Sequence, residues 1–211
     1  MKVRVFGIHA FICFGLLIVG IFVVFMIVRT TNQNDLITNA KNCRIEASDL
    51  GAKWKQKDSI YLADPLDYFE DEYQKIETKD ENYIKSSQEY MKLLRESGVK
   101  DGYLLFAEKD EENSDGGAIM VISLVFTNIE GAQAHFNYKK RNMMKEGADL
   151  SNIGDEAVFM SEARKNTFRW LVRKQNLIIS LLVLSPDENT ALKLGEETLT
   201  AILRKAESAR N

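Results

Sequence analysis

Histidine, cysteine and proline are scarce, with two of each in the whole chain. His9 and Cys13 fall in an N-terminal apolar run, which leaves His135 and Cys43 to everything after it. Zinc sites draw on clusters of His and Cys. One of each, far apart in sequence, makes no such cluster, and no metal or cofactor is expected. Cys43 has no partner for an internal disulfide in the aqueous part, so that part must be stable on its core alone, which its length allows. A Ser-His-Asp triad could use only His135, and nothing places a Ser beside it. No G-x-S-x-G elbow and no Gly-rich phosphate loop after a strand is present. His135 is expected as a partly exposed helix residue without a catalytic role, so that His135→Ala leaves function intact.

A basic excess is missing too. With Lys2 and Arg4 set aside, 26 basic residues face 31 acidic ones, a net charge of −5. Nucleic-acid binders show the opposite balance. The acidic loop Asp110–Gly116 has the composition of a calcium loop but not its register. Counted from Asp110, Asp115 occupies the place of the obligatory Gly, and Val121 that of the bidentate Glu. A solvated hairpin tip is the expectation. Lys139, Lys140, Arg141 and Lys145 are expected on the wet side of their helix.

Charge is also absent from residues 5–28 (VFGIHAFICFGLLIVGIFVVFMIV). As a helix that run is about 36 Å long, enough to cross a ~30 Å hydrocarbon core. A cleaved signal peptide would have a shorter apolar core and a small-x-small site just after it; here Arg29-Thr30-Thr31-Asn32-Gln33 follows. Cys13 is preceded by Phe11-Ile12, not the small residue of a lipobox. The expected organisation is a cytoplasmic head at 1–4, a single transmembrane anchor at 5–28, a helical juxtamembrane region at 29–100 and an α+β domain at 101–211. Flanking positive charge is nearly balanced. The short head before a long tail favours a cell-membrane protein with its folded part outside the cytoplasm.

Leu36, Ala40, Cys43, Ala47, Leu50 and Trp54 recur at intervals of four and three, which predicts a helix over roughly 34–56 with a heptad-like stripe. The stripe must be covered, either by its own domain or by a second chain in a short stalk. Asp64-Pro65 reads as a cap and first turn for a helix at about 65–77. A third helix is expected at about 81–97, with Ile84, Met91 and Leu94 on one side and Gly98 closing it. From 102 onward the pattern is β-β-α-β-β-β-α. Tyr103–Ala107 and Ala118–Phe126 form a long-looped hairpin, a helix spans 129–146, and strands follow at Ala157–Met160, Phe168–Val172 and Leu177–Leu184. Ser185-Pro186-Asp187-Glu188 predicts a capping box for a terminal helix. Hairpins make the sheet mainly antiparallel, packed with helices in an α+β fold. Trp170, Leu177, Ile179, Leu181, Val183, Leu199 and Ile202 are its expected core. Ala191, Gly195 and Ala206 should share the terminal helix's packing face.

Ile153-Gly154-Asp155-Glu156-Ala157-Val158 opens a strand. A charged strand ending Val172-Arg173-Lys174-Gln175-Asn176, an apolar strand and a terminal helix follow. Over about 102–206 this resembles the C-terminal half of PsbP-like domains and related bacterial envelope lipoproteins. There a Gly-Asp-Glu-Ala turn precedes an arginine, a turn and an apolar strand. The resemblance implies an extracytoplasmic binding or assembly domain without catalysis and names no ligand. Read by themselves, Gly154 and Asp155 make a turn, with Asp155 bonding locally.

The leading expectation is a non-enzymatic binding or assembly subunit that contacts a protein partner or self-associates. Its candidate contacts are Leu36, Cys43, Leu50 and Trp54 on the stripe, and Tyr68, Phe69 and Tyr73 in the acidic helix. The alternatives are a small-ligand or lipid-sensing domain, which requires an apolar pocket between sheet and helices, and a hydrolase working through carboxylates alone.

Overall fold

The computed structural model describes residues 36–76, 80–109, 117–144, 146–162 and 166–208. The expected span 5–28, the loop tip 110–116, Lys145 and the middle of the turn at 162–166 lie outside them. Among the described residues no helix is long and apolar enough to cross a membrane.

Ile37–Asn211 form one compact unit around a seven-stranded sheet. The strands are β1 (Trp54–Leu62), β2 (Val99–Lys109), β3 (Ala118–Phe126), β4 (Ala148–Leu150), β5 (Glu156–Glu162), β6 (Thr167–Lys174) and β7 (Leu177–Leu184). Their spatial order is β1-β2-β3-β7-β6-β5-β4, and every neighbouring pair is antiparallel. The α+β class and the antiparallel sheet are as the sequence predicts; β1 and the three-residue β4 are additions to the expected order. The central β3 and β7 are almost wholly apolar because both faces of the sheet are covered. In the edge strand β1 residues 55–58 are exposed and polar, with a register shift between Gln56 and Asp58. Charge and irregularity of this kind discourage edge-to-edge pairing with another chain.

Three helices, α1 (Pro65–Lys75), α2 (Glu81–Glu96) and α3 (Ile129–Met143), belong to the apolar cluster on one face. Asp64 accepts from the amides of Leu66 and Asp67, Asp80 from that of Asn82, and Asn128 from that of Gly131. Each therefore satisfies amide donors that its helix leaves open. Gly98, at φ 67°, takes the left-handed position that ends α2. Of the residues expected on that helix's packing side, Met91 and Leu94 are buried, joined by Tyr90, and Ile84 is exposed.

The other face is covered by α4 (Glu188–Ser208) and the segment Ile37–Leu50. The expected core residues Trp170, Leu177, Ile179, Leu181, Val183, Leu199 and Ile202 are all buried here. Gly195 lets α4 approach closely: a Cβ at that position would lie 2.5 Å from the Trp170 ring. The cap of α4 is Asp187 rather than Ser185. The Asp187 carboxylate accepts from the Thr190 amide at 2.7 Å, while the Ser185 hydroxyl is occupied with the backbone of Asp187.

The predicted helix over 34–56 does not form. Two short 3-10 turns, Ala40–Cys43 and Ala47–Leu50, are followed directly by β1. The reason lies in where the backbone finds its partners. The Ile37 amide donates to Asn176 Oδ1 (2.9 Å), and Asn176 Nδ2 donates back to the Ile37 carbonyl (2.9 Å) and to that of Phe126 (2.7 Å). The Ala40 amide donates to Asp101 Oδ1 (2.8 Å), and the Tyr103 hydroxyl to the Ile45 carbonyl (3.2 Å). Side chains rooted in the sheet thus do what a helical ladder would otherwise do. Ile37, Ala40, Cys43, Ile45 and Ala47 are buried as a strap across the sheet.

Candidate ligand pocket

The helix α3 carries its buried residues Ala132, His135 and Phe136 on one stripe, and Lys139 and Met143 continue it. Lys139 was expected in water. Instead its Nζ donates to Ser180 Oγ on β7 at 3.0 Å and lies 5.8 Å from the centre of the Tyr90 ring. Among the described residues it makes no ion pair, and burial pulls its ammonium down to about 8. Lys140 does face outward, paired with Asp149 at 2.6 Å, and Arg141 is exposed.

His135 is likewise buried rather than partly exposed. Its Nε2 is 3.1 Å from the Tyr90 hydroxyl, its ring packs on Phe126 at 5.2 Å, and its Nδ1 has no hydrogen-bond partner. Burial, reinforced by the Lys139 charge, holds it well below the usual histidine range, so it is neutral at pH 7. Burial also pushes the Tyr90 hydroxyl up.

Where α3 ends, it leaves part of the sheet open. Met120, Ile122, Lys139, Met143, Met144, Arg169, Leu171, Ser180 and Leu182 surround a cavity of about 280 Å³, closed beneath by the strands at Trp170 and Leu181. The register sets its floor. Ile122 and Leu171 flank Ser180 beneath Lys139; Met120 and Arg169 flank Leu182 one row further out. Arg169 faces Glu162 across 3.5 Å through Nη2, while its buried Nε has no partner. Two further hollows, of about 350 and 300 Å³, are lined by Lys109 and Gly117, which border the undescribed segment 110–116. Among the described residues no group of three His, Cys, Asp or Glu could hold a metal ion.

The residues named from the sequence lie elsewhere. Leu36 is a bend at the start of the described part. Cys43 is buried in the strap, and Leu50 and Trp54 pack partly buried on the same cluster. Tyr68, Phe69 and Tyr73 pack on the opposite cluster, with Phe69 edge-on to Tyr90 at 6.1 Å and Tyr73 edge-on to Tyr83 at 6.4 Å. The large apolar side chains left exposed at that end are Ile76, Tyr83 and Ile84. Sequence reasoning missed Lys139, Arg169 and Ser180. The available signal was the spacing Ala132, Phe136, Lys139, Met143, which sets a lysine on an apolar stripe.

The Gly-Asp-Glu-Ala motif is tied to a distant turn rather than to itself. Asp155 accepts from the Gln175 amide at 2.6 Å and lies 3.4 Å from Arg173 Nη1 and 3.3 Å from Lys174 Nζ. Arg173 Nε donates to Glu156 at 2.7 Å. Asp155 thereby fixes the β6–β7 turn, in which Gln175 takes φ 53°. Gly154 is required by its φ of 67° and by the Arg173 carbonyl, 2.6 Å from where a Cβ would stand.

No family model matches the chain, and no curated protein matches it. Among solved structures it is similar to the extracellular domain of PknH from Mycobacterium tuberculosis, with a TM-score of 0.45 at 8% sequence identity, covering 78% of this chain and 95% of that one.

Proposed function

We propose that this chain is a membrane-anchored, extracytoplasmic binding protein without catalysis, and that its ligand is a small molecule held between α3 and the sheet. The observation that carries the reading is the cavity at Lys139: apolar walls, a volume near the lower end of ligand pockets, and a half-buried cation with only neutral partners among the described residues. Burying an ammonium without a counter-ion is costly to the fold, and a site that gains its partner on binding accounts for it. The placement outside the cytoplasm rests on the charge-free run at 5–28 and the long tail after it.

Affinity purification of the full-length protein in mild detergent, followed by solvent extraction and mass spectrometry, tests this. A small organic molecule should be released from the parent and not from Leu182→Trp, which fills the cavity floor. Identical extracts from the two proteins would overturn the reading. A second reading, contact with a protein partner, is favoured by the exposed Ile76, Tyr83 and Ile84 on the α1–α2 pair. It predicts a co-purifying protein that Ile84→Asp loses and Leu182→Trp retains.

A further inference from the structure

We infer that the ligand is a small amphiphilic carboxylate, a single aliphatic chain lying on Met120 and Leu182 with its head group held between Lys139 and Arg169. The inference rests on the binding reading above and specifies its chemistry.

The charge of the head group follows from what the pocket lacks. Lys139 donates to a serine hydroxyl and has no acidic partner among the described residues. Arg169 spends one terminal nitrogen on Glu162 and keeps a buried Nε–H unfilled. An anion at this point would pair with Lys139 Nζ and with the guanidinium end of Arg169, whose side chain is 43% exposed. Hydrogen bonds from ionised donors to a carboxylate are about twice as strong as neutral ones. The register makes the bridge feasible: Ser180, which receives Lys139, and Arg169 are diagonal neighbours on adjacent strands, roughly 7–8 Å apart along the sheet. With Glu162 already facing Arg169, the two cations leave about one unbalanced positive charge, which a carboxylate neutralises and a phosphate, at about −1.5 to −2, exceeds.

The apolar part follows from the walls. Met120, Met143 and Met144 are unbranched and polarizable and adapt to a flexible chain. The only aromatic residue lining the cavity among the described residues, Trp170, has its ring on the opposite face, against Gly195. No platform is left on which a planar base or ring could stack. The volume of about 280 Å³ is too small for a two-chain lipid. The cavity is also open at the end of α3, where Met143 is 47% exposed, so a chain can enter lengthwise.

The test uses the full-length protein in lipid nanodiscs, with its methionine methyl groups carbon-13 labelled. It is titrated separately with decanoate, decanol, decyltrimethylammonium and decyl phosphate. Decanoate should shift the methyl resonances of Met120, Met143 and Met144 saturably, and the other three compounds should not. Lys139→Met, which removes the desolvated charge, and Arg169→Gln should each weaken decanoate by about tenfold while melting no lower than the parent. Decanoate binding unchanged in both variants would overturn the assignment of the head group. Equal binding of decanol would overturn the anionic ligand but leave the pocket reading standing, and stronger binding of decyl phosphate would overturn the carboxylate. No saturable shift with any of the four would sink the pocket reading itself.

Discussion

His135 shows how far one side chain can depart from its sequence context. Enclosed by Tyr90 from α2, Phe126 from β3 and Lys139 from its own helix, it is held uncharged by burial. In the unfolded chain it would titrate near 6.5. Below that pH the unfolded state binds a proton that the folded state refuses, so stability falls as pH falls through 6.5, by up to about 1.4 kcal/mol per pH unit. Urea unfolding between about pH 7.5 and 5.5 should show this loss in the parent, on top of a shallower one in His135→Phe. Parallel curves for the two proteins would mean that the imidazole takes up its proton in the fold as readily as in the unfolded chain. Lys139, on the same stripe, reads in sequence as one member of a basic run with Lys140, Arg141 and Lys145. Charge type alone could not separate it from them. The spacing could, because Ala132, Phe136 and Met143 place position 139 toward the sheet. Ser180 and Arg169 give no such signal. Each interrupts an apolar strand, and their meaning appears only when α3 and β7 are brought together.

At the scale of elements, legibility followed apolar patterning. β3, β7 and α4 were readable because both faces of the two strands and one face of the helix are buried. β1 was not, because an edge strand made of Trp-Lys-Gln-Lys-Asp-Ser has no alternation and exists through its pairing with β2. The strap failed for a different reason. The four-and-three spacing of Leu36, Ala40, Cys43, Ala47, Leu50 and Trp54 is real, but Ile37 and Ile45 fall off that stripe and are buried. A helix could not have buried both sets on one sheet. The decisive groups, Asn176 and Asp101, are remote in sequence and no local rule sees them. Their role is open to test. Cys43 is buried on the sheet-facing side of the strap, so a maleimide should label it in the parent only after unfolding. Asn176→Ala removes three hydrogen bonds to Ile37 and Phe126, and should speed labelling in native buffer by about tenfold. Equal rates would mean that the strap is held by its apolar contacts alone. Fast labelling of the parent would contradict the packing itself.

For the whole molecule, the class and the antiparallel sheet were legible, whereas the pocket was not. It is a gap defined by where α3 stops, and its walls come from three strands and one helix. The proposed placement outside the cytoplasm makes its own prediction. Protease added to intact spheroplasts of a bacterial host should digest the domain and leave a small membrane-bound fragment. Full protection, while a known external domain is cut, would reverse the orientation. Surface charge alone does not discriminate, since a mildly acidic domain suits either compartment.

The Ile37–Asn176 clamp spans 139 residues, and this separation sets a timetable for biogenesis. During synthesis the strap leaves the ribosome before Asp101 and Tyr103 of β2, and long before Asn176. At ~5–20 residues per second, the interval is roughly 7–28 s. Through the first part of it Ile37, Ala40, Cys43 and Ile45 have no sheet to cover; β2 and β3 then offer part of one, and β3 still waits for β7. The nascent chain therefore carries an incompletely covered apolar segment, shortly after the charge-free run at 5–28, until Asn176 has emerged. In that window it depends on whatever receives chains as they emerge, and the domain closes late and from both ends at once.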